Sequence, residues 1–190
     1  LVHTLPKDYG LETIIIYDNT IYLGSKTALY ILSIDNPAAP TILSKSDRFL
    51  FGAVFNGCDP VVVKDQYAYS TIKVVENICG NVATQSALIV FDVSNKAAPE
   101  QKGLYPMSLP NGLGFFEQYL LVCDEGSDLV FIYYISDPHN LILTDYSFAV
   151  IDPVDLIVRG QQVIVSTKTD FRFYDISNLE DIRPLGVIGK

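Results

Sequence analysis

The chain has 190 residues, 49% of them hydrophobic and 18% charged, a balance that excludes an intrinsically disordered chain. Thirteen Lys and Arg against twenty-two Asp and Glu leave a formal charge of −9. So acidic a chain gains nothing from counterion release on nucleic acid, and no apolar run reaches the roughly eighteen residues of a membrane-spanning helix.

The first predicted elements form a hairpin, IIIY and IYLG, opened by Glu12 and turning at Asn19. A third strand ALYILSI, an Asn-Pro turn and an outer strand PTILSKS complete a unit over about 11–50. The same order recurs over about 57–107, opened by Asp59, turning at Gln66 and running through YAYS, ALIVFDV and PEQKGLYP. A third unit, about 109–150, opens at Asn111, turns at Gln118 and continues through YLLV, LVFIYYI and LILTDYS. The fourth, about 153–190, opens at Asp155, turns at Gln162 and runs through VIVS, FRFYDI and RPLGVIG. Residues 1–10 take the place of the outer strand of a preceding or closing unit.

These runs are short, rich in β-branched and aromatic residues, and punctuated by Asp, Asn, Gln, Gly and Pro, which is strand chemistry. Proline disfavours helix at the residue before it, and no stretch carries a helical apolar period with a cap. A period of roughly fifty residues holding four antiparallel strands is the size of one propeller blade, and radial packing of blades protects sheet edges. The expected fold is therefore all-β, a single β-propeller of about four four-stranded antiparallel blades. Three arrangements stay open: a portion of a larger ring, a closed four-bladed ring, and chains meeting through open edge blades.

The hairpin DQYAYS at 65–70 and the stretch ALIVFDVSNKAAP at 87–99, echoed by DISN at 175–178, resemble the LVIVD repeat family of β-propeller-like proteins. The third unit departs from that pattern, with Gly112 and Gly114 in its first strand and Pro138 in its turn. The resemblance implies a bacterial protein outside the cytoplasm, secreted or lipid-anchored upstream of Leu1, of unassigned function. Leu1 is not a start methionine and no basic-then-apolar leader follows it, so any targeting segment is expected to have been removed or to lie upstream.

Loops on a rigid scaffold carry function. The unit openers Glu12, Asp59, Asn111 and Asp155 and the loop residues Asp124, Glu125, Asp128 and Asp170 are expected on one funnel face. These eight are the candidate ligand-binding residues, for a small ligand or a protein. Oxygens gathered there have the chemistry of a hard-cation site, but short polar side chains repeated in every blade more often satisfy local backbone N–H groups. The expectation includes no metal and no cofactor. A long insertion, 72–85, carries Cys79, which would bridge Cys58 in an oxidising compartment; three independent buried thiols, Cys123 among them, are the alternative.

Catalytic constellations are thin. His3 and His139 stand with no nucleophile, and no phosphate loop or dinucleotide fingerprint occurs. The Gly112–Gly114 pair reads as a strand kink or close packing rather than a phosphate cradle. Tyr67, Tyr69, Tyr119, Tyr133, Tyr134 and Tyr174 read as strand packing, leaving Phe51, Phe55 and Tyr105 in longer connections as the rings a sugar would meet. The expected function is non-catalytic binding or scaffolding outside the cytoplasm. The competing reading is a hydrolase or lyase using Asp59, Asn111 and Asp155 at the funnel.

Overall fold

A computed structural model of the chain describes residues 10–25, 28–47, 49–50, 53–54, 60–73 and 85–190. The assignments on His3, Phe51, Phe55, Cys58, Asp59, Cys79 and the strand of residues 1–9 lie outside the described residues, as does most of the insertion. No helix occurs among the described residues. The chain divides into two compact units, Leu1–Pro106 and Met107–Lys190.

The first unit holds two four-stranded sheets. One is β1 (Leu11–Tyr17), β2 (Thr20–Ser25), β3 (Ala28–Ser33) and β4 (Thr41–Asp47), in that order across the sheet. A small pair, β5 (Phe49–Leu50) and β6 (Ala53–Val54), precedes the second sheet of β7 (Val61–Lys64), β8 (Tyr67–Ile72), β9 (Ser86–Asp92) and β10 (Glu100–Met107). Strand residues alternate between faces, so every second position of β2 and β3 points one way. Tyr22, Leu29 and Ile31 thereby meet Val61, Val63, Ala68, Ile72, Ile89 and Phe91 in one buried cluster.

The second unit repeats this plan. Its first sheet is β11 (Pro110–Phe116), β12 (Tyr119–Asp124), β13 (Leu129–Tyr134) and β14 (Ile142–Leu143), with β15 (Phe148–Ala149) returning to pair with β13. Its second is β16 (Pro153–Arg159), β17 (Gln162–Thr167), β18 (Asp170–Asp175) and β19 (Arg183–Gly189). Leu121, Cys123, Val130 and Ile132 pack on Leu156, Val163, Val165 and Ile176. The outer strand LILTDYS, expected to be continuous, is broken at Thr144–Ser147.

Two local devices recur in all four sheets and explain the repeat. The first hairpin turns on residues with positive φ: Asp18 (44°) and Asn19 (48°), Asp65 (54°), Glu117 (51°) and Gly160 (58°). Positive φ suits the tight two-residue turn that matches strand twist. The carbonyl of the second turn residue then accepts a hydrogen bond from the residue after the third strand: Ile34 to Asn19, Val93 to Gln66, Ile135 to Gln118 and Ile176 to Gln161. The fourth turn is thus Gly160–Gln161, and Gln162, expected in the turn, opens β17 instead.

The second device sits between third and fourth strands. The side-chain oxygens of Asn36, Asn95, Asp137 and Asn178 accept from the N–H two residues on, at 3.1, 3.2, 3.0 and 3.1 Å. Their carbonyls accept from the N–H three residues on. Pro138 preserves this geometry because Asp137 supplies the same acceptor as Asn, so the third unit keeps its turn while losing the SN pair.

Candidate functional site

The one-residue slip in the fourth hairpin moves Asp155. Counted from the turns, Glu12, Asn111 and Val154 share a position at a register irregularity of the first strand, and Asp155 aligns instead with Gly112. A Cβ at Gly112 would lie 1.9 Å from an Asp155 carboxylate oxygen and 2.6 Å from its Cα. Gly112 is therefore a close-approach glycine between β11 and β16, the packing role read from the sequence.

In the second unit the loop end of the strands is laced by charge. Asn111 donates through Nδ2 to Glu125 Oε2 at 3.2 Å and to the Pro153 carbonyl at 2.9 Å. Lys168 Nζ sits 2.7 Å from Glu125 Oε1 and 2.8 Å from Asp152 Oδ1. The Asp152 N–H donates to Asp128 Oδ1 at 2.8 Å. Hydrogen bonds to Asp152 and Glu125 push the Lys168 ammonium above the ordinary lysine range. Three predicted residues, Asn111, Glu125 and Asp128, are thus brought together, joined by Lys168 and Asp152. Among the described residues no group of three His, Cys, Asp or Glu gathers to hold a metal ion; the positive charge among these carboxylates is a lysine.

Asp124 does different work. It is fully buried at the end of β12, and its carboxylate accepts from Ser108 N–H (2.9 Å), Leu109 N–H (3.1 Å) and Ser127 N–H (3.1 Å). A carboxylate so occupied has no room for a ligand. The same position in the first sheet is Ser25, whose hydroxyl binds Ala28, and in the fourth is Thr167, whose Oγ1 accepts from Thr169 and Asp170 N–H. All three are buried. The expected repeated oxygen that satisfies local backbone exists, but at the end of the second strand rather than at the unit opener. Sequence reading missed it because Ser, Asp and Thr share an oxygen and no letter.

Asp170 is paired inward as well, with Arg172 Nε at 2.9 Å and Thr167 Oγ1 at 2.8 Å. The Arg172 contact, then the Thr167 hydroxyl, hold its carboxyl below the usual range. Glu12 lies exposed on β1, in the first of the two units. Cys123, expected at a loop junction, is inside β12 and fully buried. Burial, then the nearby Asp155 and Asp124 charges, push its thiol well up, so it is not a poised nucleophile. Tyr105, expected in a connection, is half-buried in β10.

Asp155 is the exception among the carboxylates. It is solvent-exposed along one side, accepts only the Leu156 N–H, at 2.8 Å, among the described residues, and burial raises its carboxyl above the usual range. It borders an apolar cleft of about 450 Å³ lined by Ile157, Ile164, Ser166, Phe171 and Phe173. The matching positions of the preceding sheet, Gly114, Leu121, Cys123, Val130 and Ile132, are turned toward the fourth sheet, whereas here Ile157 remains 66% exposed.

No protein-family model and no curated protein matches the chain. Solved structures do. A protein of Lactobacillus plantarum is 15% identical with a TM-score of 0.69, the match covering 90% of this chain and 52% of that one. A candidate 6-phosphogluconolactonase of Bacteroides uniformis is 14% identical with a TM-score of 0.70, covering 90% and 53%. Apo AztD from Citrobacter koseri is 14% identical with a TM-score of 0.58, covering 92% and 47%. The chain spans about half the length of these three. At such identities the likeness speaks for fold alone, and the fold is an all-β propeller with four four-stranded antiparallel blades.

Proposed function

We propose that the chain is a non-catalytic binding or scaffold propeller acting outside the cytoplasm, with the loop end of its blades as the recognition surface. The observation that carries this reading is the Asn111–Glu125–Lys168–Asp152–Asp128 lattice. It ties β11, the β12–β13 loop, the β15–β16 connection and the β17–β18 loop into one rigid rim. A preorganised rim loses little entropy on binding. The location outside the cytoplasm rests on the resemblance to LVIVD repeats, which also brings a lipid anchor upstream of Leu1 into the proposal. The exposed Ile157, Leu185, Val187 and Ile188 of the last sheet support association through an open edge blade.

The test is chemical cross-linking of the native gene product in intact cells, followed by fractionation. Cross-links from Lys168 to a second protein in the envelope or secreted fraction are expected. A product found only in the cytoplasm, with Lys168 linked only within its own chain, removes the proposal.

One observation favours a second reading, a hydrolase or lyase. Asp155, with its raised carboxyl at the mouth of an apolar cleft, has the character of a general acid. The likeness to a candidate 6-phosphogluconolactonase makes lactone hydrolysis the first reaction to screen. A phosphosugar would need a cation, and Lys168 is already held between two carboxylates. Turnover abolished by Asp155→Asn would put the enzyme reading first.

A further inference from the structure

At the hairpin-turn end of the third blade, opposite the charged rim, lies an open cleft of about 490 Å³. It exists because the outer strand is broken. Thr144 fastens both its N–H and its Oγ1 to the Ile132 carbonyl, at 2.9 and 2.8 Å, and its Oγ1 accepts from Tyr146 N–H at 3.3 Å. The chain leaves the sheet there and rejoins it at β15, setting Asp145 and Tyr146 at the cleft. Tyr119 packs against Tyr134 with ring centroids 5.5 Å apart and against Tyr146 at 6.3 Å, the rings mutually tilted.

Apart from Thr144, the polar side chains here are unused among the described residues. The Gln118 amide, the Asp145 carboxylate and the hydroxyls of Tyr119, Tyr134 and Tyr146 make no hydrogen bond to another described residue. The same place in the first blade is a cleft of about 350 Å³ lined by Thr20, Ser33, Asp35 and Lys96. There the groups satisfy one another: Thr20 Oγ1 donates to the Asp18 carbonyl and accepts from Lys96 at 2.7 Å, and Ser33 Oγ donates to Asp35 at 2.8 Å. One repeat position is thus closed on itself, while its counterpart pairs a tyrosine cluster with donors and acceptors left open.

We infer that the third-blade cleft binds a neutral oligosaccharide. A pyranose has apolar C–H faces and a ring of hydroxyls, which match tyrosine rings flanked by an amide and a carboxylate. Among the described residues no Lys or Arg lines the cleft, so a phosphorylated or uronic sugar is disfavoured. A quaternary ammonium is the competing guest, but cation–π attraction is weak at a site as open to water as this one. The inference stands apart from the loop-end proposal, since the cleft is at the other end of β12 and shares no residue with the rim.

The test is a titration of the isotope-labelled 190-residue chain with cellotriose, laminaritriose and maltotriose, followed by NMR at every amide. Saturable shifts confined to Gln118, Tyr119, Tyr134 and 142–146 are expected with at least one sugar. Tyr134→Ala is expected to weaken that binding by about tenfold or more, the usual weight of an aromatic anchor. Asp145→Ala, at an exposed residue that leaves the fold intact, is expected to weaken it by a smaller factor. Silence with all three sugars overturns the inference. So do shifts produced by tetramethylammonium and not by the sugars, or sugar binding that neither substitution changes.

Discussion

At one end of β12, Asp124 is buried and its carboxylate receives three backbone N–H groups; at the other, Tyr119 belongs to a half-open ring cluster whose hydroxyls bond no other described residue. Six residues of one strand thus join a closed end to an open one. At the closed end the acidic side chains are structural cement: Glu125 and Asp152 neutralise Lys168, and Asp128 steadies Asp152. Carboxylates with internal partners brace a rim, whereas the polar and aromatic groups at the other end keep their hydrogen-bonding capacity unspent among the described residues.

The largest effect should come from Asp124→Ala. It leaves the Ser108 and Leu109 N–H groups without their acceptor in a half-buried setting, while Ser127 N–H keeps the Asp124 carbonyl, at a cost of about 3 kcal/mol. For a chain this long that is a fall in Tm of roughly 10 °C, measurable by calorimetry. A loss under about 1 kcal/mol would mean that the end is less closed than its hydrogen bonds imply.

Gly112→Ala comes next. Its Cβ would meet the Asp155 carboxylate at 1.9 Å and the Asp155 Cα at 2.6 Å, and backbone cannot step aside cheaply. A destabilisation of about 2 kcal/mol is expected in urea unfolding. Gly114→Ala should cost clearly less, because the atom it meets, at 2.8 Å, is the far end of the Leu156 side chain. Equal costs for the two would refute the close-approach explanation.

Two pH effects of opposite sign separate the open carboxylate from a paired one. Burial makes Asp155 harder to ionise in the folded chain than in the unfolded chain. Its contribution is therefore full below the ordinary carboxylate range, and stability is lost as pH rises through the raised folded value. Asp155→Asn should abolish that decline. Arg172 holds the Asp170 carboxyl low, so its contribution is present above the ordinary range and lost as pH falls through the lowered value. Asp170→Asn should flatten the acid limb instead. Denaturation midpoints across pH 2–7 would reveal both, and matching slopes in the two variants would contradict the assignment.

The smallest effect is expected at the rim's cation. Lys168→Met removes an exposed ammonium from two carboxylates, so a modest destabilisation at low salt should fade at high salt. A loss that ignores salt would point to packing of the lysine stem instead.

Much of the fold was legible because it is written in local chemistry. Asn36, Asn95 and Asn178 precede their third-to-fourth-strand turns by the same spacing, and turn residues act within three or four positions of themselves. Short continuous apolar runs such as YLLVCD or SALIVFD, bounded by polar turns, identify strands without any partner. The sites were less legible. The expected opener Asp155 was misplaced by one residue because Gly160–Gln161–Gln162 offers two ways to draw the turn, and only the pairing of Arg159 with Gln162 decides between them. Asp124 was expected to bind a ligand, and the role it shares with Ser25 and Thr167 was not legible, because that role depends on the backbone they reach and not on their identity.

Sequence alone determined that this chain is a succession of short antiparallel strands with polar turns, since propensity, alternation and turn chemistry are properties of neighbours along the chain. Only the tertiary structure decided which carboxylates are occupied and which tyrosines are open. Tyr119, Tyr134 and Tyr146 come from three separate stretches, and whether a polar group finds a partner depends on what folding carries to within about 3 Å of it.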